Sequence, residues 1–141
     1  MRFLTFLFVF VLTGCALFDP SVDVGQTLYR MNQAYKEKNA DAFMEFVSAD
    51  YQGNRSDLRL AVENDFAGFS EVEYRTSVFQ TTIDKKTGNY QASVYFFRKA
   101  KSYRYGTNNQ SGETVLTFRK EKDGLKLLKM PVPALYGLIV P

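Results

Sequence analysis

The chain contains no histidine, no tryptophan and a single cysteine in 141 residues. Without histidine there is no Ser-His-Asp or Cys-His machinery, no zinc-protease helix motif and no imidazole-ligated metal centre. One thiol cannot close an internal disulfide, so the fold must stand on packing. No glycine-rich phosphate loop of the P-loop or dinucleotide type occurs, and no cofactor is implied. The chain also lacks the run of about 20 apolar residues that a membrane span requires. A dominant charge is missing too: 18 Lys+Arg against 15 Asp+Glu give +3, too mild to argue for nucleic acid as a partner.

What is abundant is aromatic surface, with 13 Phe and 9 Tyr available to fill one core. The chain opens with Arg2, an apolar stretch over 3–12 and then Leu12-Thr13-Gly14-Cys15. A charged start, a short apolar run and small residues before a cut site form a secretory signal. An ordinary signal usually ends in an A-x-A-like site, which is absent. The four residues 12–15 resemble the lipobox of bacterial lipoproteins. That resemblance implies a signal peptide at 1–14, diacylglycerol on the Cys15 sulfur and acylation, palmitate included, of the new amino terminus. Each buried CH₂ contributes about 0.8 kcal/mol, so two or more chains make a stable membrane anchor. Ala16 follows, where lipoproteins of the inner membrane often carry Asp, which implies an outer-membrane location facing the periplasm. Residues 15–23 are then the lipidated cysteine and a tether reaching at most roughly 25–30 Å, and 24–141 form one domain.

Along that domain, Val24, Leu28, Met31 and Tyr35 make one apolar stripe, predicting a helix over 24–38 capped by Ser21 or Asp23. Asn39-Ala40-Asp41 breaks the pattern, and a short helix is predicted over 42–48. Residues 51–53 read as a brief strand or turn. Asn54 to Ser56 supply cap residues for a third helix over 57–69, with Leu58, Ala61, Val62, Phe66 and Phe69 on one side. From Glu71 the period becomes alternating, with a phase slip between Val78 and Phe79 that predicts a bulge. Residues 84–89 are a turn, 90–105 a second strand, 106–112 a polar loop, 114–120 a third strand, 122–124 a tight hairpin and 125–130 a fourth strand. Pro131 and Pro133 bar further central pairing, and the apolar tail over 134–141 is expected to pack down. The order predicts an α+β domain: three N-terminal helices on one face of a bent four-stranded antiparallel sheet.

The segments Ala34-Tyr35, Asn39-Ala40-Asp41-Ala42-Phe43 and Phe46-Val47-Ser48-Ala49-Asp50, with Thr117-Phe118-Arg119 in a late strand, resemble the NTF2-like superfamily over most of 24–133. The resemblance implies the NTF2-like cone and a pocket between helices and sheet, with Tyr35, Tyr51, Phe66 and Tyr95 as wall residues. Steroid isomerases of that superfamily use an aspartate base with a tyrosine and a protonated aspartate as oxyanion hole. Tyr35 falls where the tyrosine sits, but Asn54 and Arg55 stand where the base belongs, and the second acid is replaced near Leu116. The isomerase is therefore not carried over, and Tyr35 reads as a core tyrosine on a buried helical stripe, its hydroxyl bonded locally.

A different pocket enzyme, an isomerase, lyase or hydrolase, would need a carboxylate with a raised pKa; Asp50, Asp65 and Glu73 are the candidates, and solvated or capping roles suit all three. Arg98, Lys99, Lys101 and Arg104 concentrate positive charge among tyrosines. They suit an anionic lipid or glycan, or else a solvated strand edge. Val94, Tyr95, Phe96 and Phe97 are apolar on both strand faces, although helices cover only one. The outer face must meet either a second copy, in a homodimer, or the C-terminal tail. The expected function is a lipid-anchored binding module for a protein partner or a small apolar ligand.

Overall fold

A computed structural model describes residues 19–139; the expected signal peptide, Cys15, Ala16 and the last two residues lie outside them. Helix α1 (Pro20–Lys36) begins four residues earlier than its apolar stripe suggests. Asp19 is the cap, its carboxylate accepting from Ser21 N at 2.9 Å, and Pro20 pre-sets the first turn. Residues 20–23 thus belong to the helix and shorten the expected tether. Val24, Leu28, Met31 and Tyr35 are buried as one stripe. Lys38, at φ 54°, turns the chain, and Asn39 caps α2 (Ala40–Met44) by accepting from Ala42 N at 3.0 Å. That helix is shorter than expected. The chain then leaves it through Val47, which bridges Leu127. Asn54 accepts from Ser56 N and Asp57 N to start α3 (Arg55–Gly68).

The sheet is antiparallel, in the order β1 (Phe69–Ile83), β2 (Tyr90–Ser102), β3 (Gly106–Glu121), β4 (Gly124–Lys129). The expected bulge is present: the register shifts between Val78 and Gln80, leaving Phe79 outside the ladder. One expectation fails. Residues 106–112 are not a loop but the first half of β3, paired from Ser102↔Gly106 onward. Among the described residues β4 pairs only with 117–121 and nothing but β2 pairs this half of β3, which is exposed on both faces. A strand in that setting carries no apolar alternation. The turn between β2 and β3 is correspondingly tight, Tyr103-Arg104-Tyr105, followed by Gly106 at φ 79°.

Helices cover the concave face, where Tyr90, Ala92, Val94, Leu116 and Phe118 join one buried core with the apolar stripe of α1. The tail also enters this concave side. Leu135 and Tyr136 are buried there, so the tail does not cover the outer face. On that outer face Phe79, Tyr95, Phe97 and Val115 stay 36–50 % exposed. Among the described residues no helix is long and apolar enough to cross a membrane.

Candidate functional site

The interior of the cone is built from α1, α3, β1 and the tail. Tyr35, on the last turns of α1, contacts the rings of Phe43, Phe66, Tyr74 and Tyr136 at centroid distances of 5.0–5.6 Å. Its hydroxyl donates to Asp65, which is completely buried on α3. That carboxylate also accepts Leu138 N at 2.8 Å and Ile139 N at 2.8 Å. Gly137 N donates to the Tyr35 hydroxyl at 3.1 Å. Tyr136 donates to Asn32 Oδ1 at 2.6 Å, while Tyr74 and Arg98 both donate to the Leu135 carbonyl at 2.9 Å. The tail is therefore held by main-chain and tyrosine hydrogen bonds to side chains of the cone wall. Gly137 makes this docking possible: its φ is 79°, and a Cβ there would come within 2.9 Å of Ala61 Cβ.

Burial pushes the Asp65 carboxyl above the ordinary aspartate range, opposed by the hydrogen bonds from Tyr35, Leu138 and Ile139. Burial likewise drives Tyr35, Tyr74 and Tyr136 upward, so all three are neutral phenols at physiological pH. A desolvated acid beside a tyrosine is the raw material of proton transfer. Here the acid is fully occupied by the Tyr35 hydroxyl and the Leu138 and Ile139 amides, and Tyr136 is buried in the ring cluster around Tyr35.

The four expected wall residues are not brought to one pocket. Tyr35 and Phe66 touch in the core, Tyr51 lines a separate cavity of about 320 Å³ with Met130 and Val132, and Tyr95 projects from the opposite face of the sheet. Strand alternation explains the last: Val94 points inward, so Tyr95 must point out. The four basic residues do not form one patch either. Arg98 faces the cone and binds Leu135 O and Gln110, Lys99 lies 3.6 Å from Glu71 on the outer face, Lys101 is exposed, and Arg104 sits on the turn. Of the three candidate acids, Asp50 is exposed and pairs with Arg119 at 2.9 Å, and Glu73 pairs with Arg75 at 3.2 Å. Asp65 is the exception to the expected solvated or capping role. It falls seven residues after Leu58, on the apolar stripe of α3, and that position was the legible signal. Asn32, Tyr74, Tyr136 and Gly137 carried no such mark.

Neither a family model nor a curated protein matches the chain. Solved structures do. A candidate scytalone dehydratase from Novosphingobium aromaticivorans superposes with TM-score 0.68 at 8 % identity, over 76 % of this chain and 78 % of that one. A candidate dehydratase of the NTF2-like family from Streptomyces avermitilis gives 0.59 at 10 %, over 77 % and 90 %. An NTF-2 like protein of unknown function from Shewanella oneidensis gives 0.59 at 14 %, over 78 % and 95 %. The fold is the NTF2-like α+β cone, shared by candidate dehydratases and by proteins without a known role.

Proposed function

We propose that the chain is a lipid-anchored module of the bacterial cell envelope, facing the periplasm from the outer membrane, that binds a partner or small ligand and catalyses nothing. The observation that carries this reading is the occupied cone: the Tyr35 hydroxyl and the amides of Leu138 and Ile139 take up the Asp65 carboxylate that a substrate would need, and Tyr136 is buried in the ring cluster around Tyr35. The outer sheet face serves as the protein-binding surface, and a second copy is its partner. Phe79 and Tyr95 stack there at 4.2 Å in the open, beside Phe97 and Val115.

The buried Tyr35–Asp65 pair supports a second reading, a pocket enzyme that works once the tail leaves. Hydrogen exchange on the full chain separates the two. Protection of the Leu138 and Ile139 amides equal to that of central β2 amides supports the binding module. Exchange through a far cheaper local opening favours the enzyme. Light scattering tests the pairing: Tyr95→Glu should convert a dimer to a monomer, and a native monomer refutes it. A lipid adduct on Cys15 by mass spectrometry tests the anchor, and an unmodified product refutes it.

A further inference from the structure

A groove of about 780 Å³ lies at the end of the sheet where α3 runs into β1 and β2 turns into β3. This volume is within the usual range of small-molecule sites. Ala67, Phe69, Ala100 and Ile139 give it apolar walls. Its lip is the turn Tyr103-Arg104-Tyr105, where the two tyrosines are 67 % and 87 % exposed. Aromatic rings held out of the core on a three-residue turn are surface waiting to be covered. The turn is fixed in advance, since the Ser102 hydroxyl accepts from both Arg104 N and Tyr105 N, at 3.2 and 3.3 Å. Preorganisation of this kind lowers the entropy lost on binding.

Charge decides the ligand's polarity. Among the described residues no Asp or Glu lines the groove, and its one ionised side chain is Arg104. The nearby Lys38 ammonium spends its hydrogen bonds on the carbonyls of Phe66 and Phe69, at 3.1 and 2.8 Å, and lies 5.6 Å from the Tyr103 ring centroid. The rim is thus positive while the walls are apolar. One guanidinium fork matches one planar carboxylate, whereas a phosphate dianion is better served by several cations.

We propose that this groove binds a fatty carboxylate, its acyl chain lying against Phe69, Ala100 and Ile139 and its head group on Arg104. The proposal rests on the reading of the chain as a binding module with a filled cone. It is tested on the full chain with decanoate, decanol and decyl phosphate as probes, followed by amide NMR shifts. Decanoate should bind one to one and shift residues 67–69, 100–108 and Ile139. Decanol should bind about tenfold more weakly, the loss of a charge-assisted hydrogen-bonded pair. Arg104→Glu should weaken decanoate by at least that factor and leave decanol unchanged. Ala67→Leu, at an exposed position on the last turn of α3, should narrow the groove and weaken both. Decanol equal to decanoate, decyl phosphate tighter than decanoate, or shifts centred on Phe79 and Tyr95 would each overturn the proposal. Shifts at Gly137 and Leu138 would overturn the filled cone along with it; no binding of any probe would overturn the groove alone.

Discussion

Replacing Asp65 with alanine tests how the tail is held. Burial of Leu135 and Tyr136, 2 % and 0 % exposed, contributes roughly 3–6 kcal/mol. Ordering each residue of the 134–139 backbone costs about 1–2 kcal/mol, so burial alone does not hold the tail. The deficit falls to hydrogen bonds, and those to a carboxylate are the strong ones, about 1.5–3 kcal/mol each. Asp65→Ala strips the acceptor from Leu138 N, Ile139 N and the Tyr35 hydroxyl together. Were the tail to stay docked, one buried and two part-buried donors would lose their acceptor, at a cost of about 3–5 kcal/mol. Undocking is the cheaper response and caps the loss at the energy of docking. The expected result in the full chain is a loss of about 100-fold or more in protection of the Leu138 and Ile139 amides, while β2 amides remain slow. Global unfolding in denaturant should drop by about 2–4 kcal/mol. Unchanged protection at those amides with a drop below about 1 kcal/mol would refute the reasoning, because it would mean that the hydrogen bonds to Asp65 are dispensable.

The same carboxyl sets a pH dependence. Its folded-state pKa lies above the unfolded value, so the folded chain takes up the proton first; stability is fully present below the unfolded value of about 4 and declines as pH rises through the folded one. Compared with Asp65→Asn in denaturant melts, the native chain should gain relative stability as the pH is lowered from neutral, and a flat difference would contradict the burial of that acid. Tyr136→Phe, which removes only the bond to Asn32, should cost about 1 kcal/mol, read by the same melts; Tyr136→Ala, which empties the cone, should cost about 3–5 kcal/mol. Gly137→Ala should destabilise by about 1–3 kcal/mol because φ is 79° and Ala61 is close. Gly68→Ala should be nearly neutral in thermal unfolding, since the added methyl meets only the flexible tip of Ile139 and alanine favours the helix.

Much of the architecture was legible because each element carried its own period. The stripe of α1, the phase slip that became the Val78–Gln80 bulge, and the cap at Asn54 are local signals, and local chemistry executes them. Two local signals point the wrong way. Pro20 behind Asp19 starts α1 before its apolar stripe begins, and the first half of β3 is a strand whose polar faces look like a loop. The site was far less accessible. Asp65 stood out only as an acid on an apolar stripe. Its partners come from 73 and 74 residues further along the chain, a separation no periodicity encodes. The tail's composition announces that it packs but does not say against which face.

The hydroxyl bridge between Ser21 and Thr81, 2.9 Å long, fixes the start of α1 beside the far end of β1. Strand β1 then runs twelve residues back to Phe69 at the groove, a span of about 40 Å. The two ends of the molecule are therefore poles. A chain fastened at Cys15 would rest its Lys85–Lys86 hairpin toward the headgroups and raise the Tyr103–Tyr105 turn well clear of them. If both the anchor and the groove hold, acyl cargo would have no direct path from the supporting leaflet to that turn. On that reading it would arrive from the aqueous side, and the chain would act as a spacer as much as a holder.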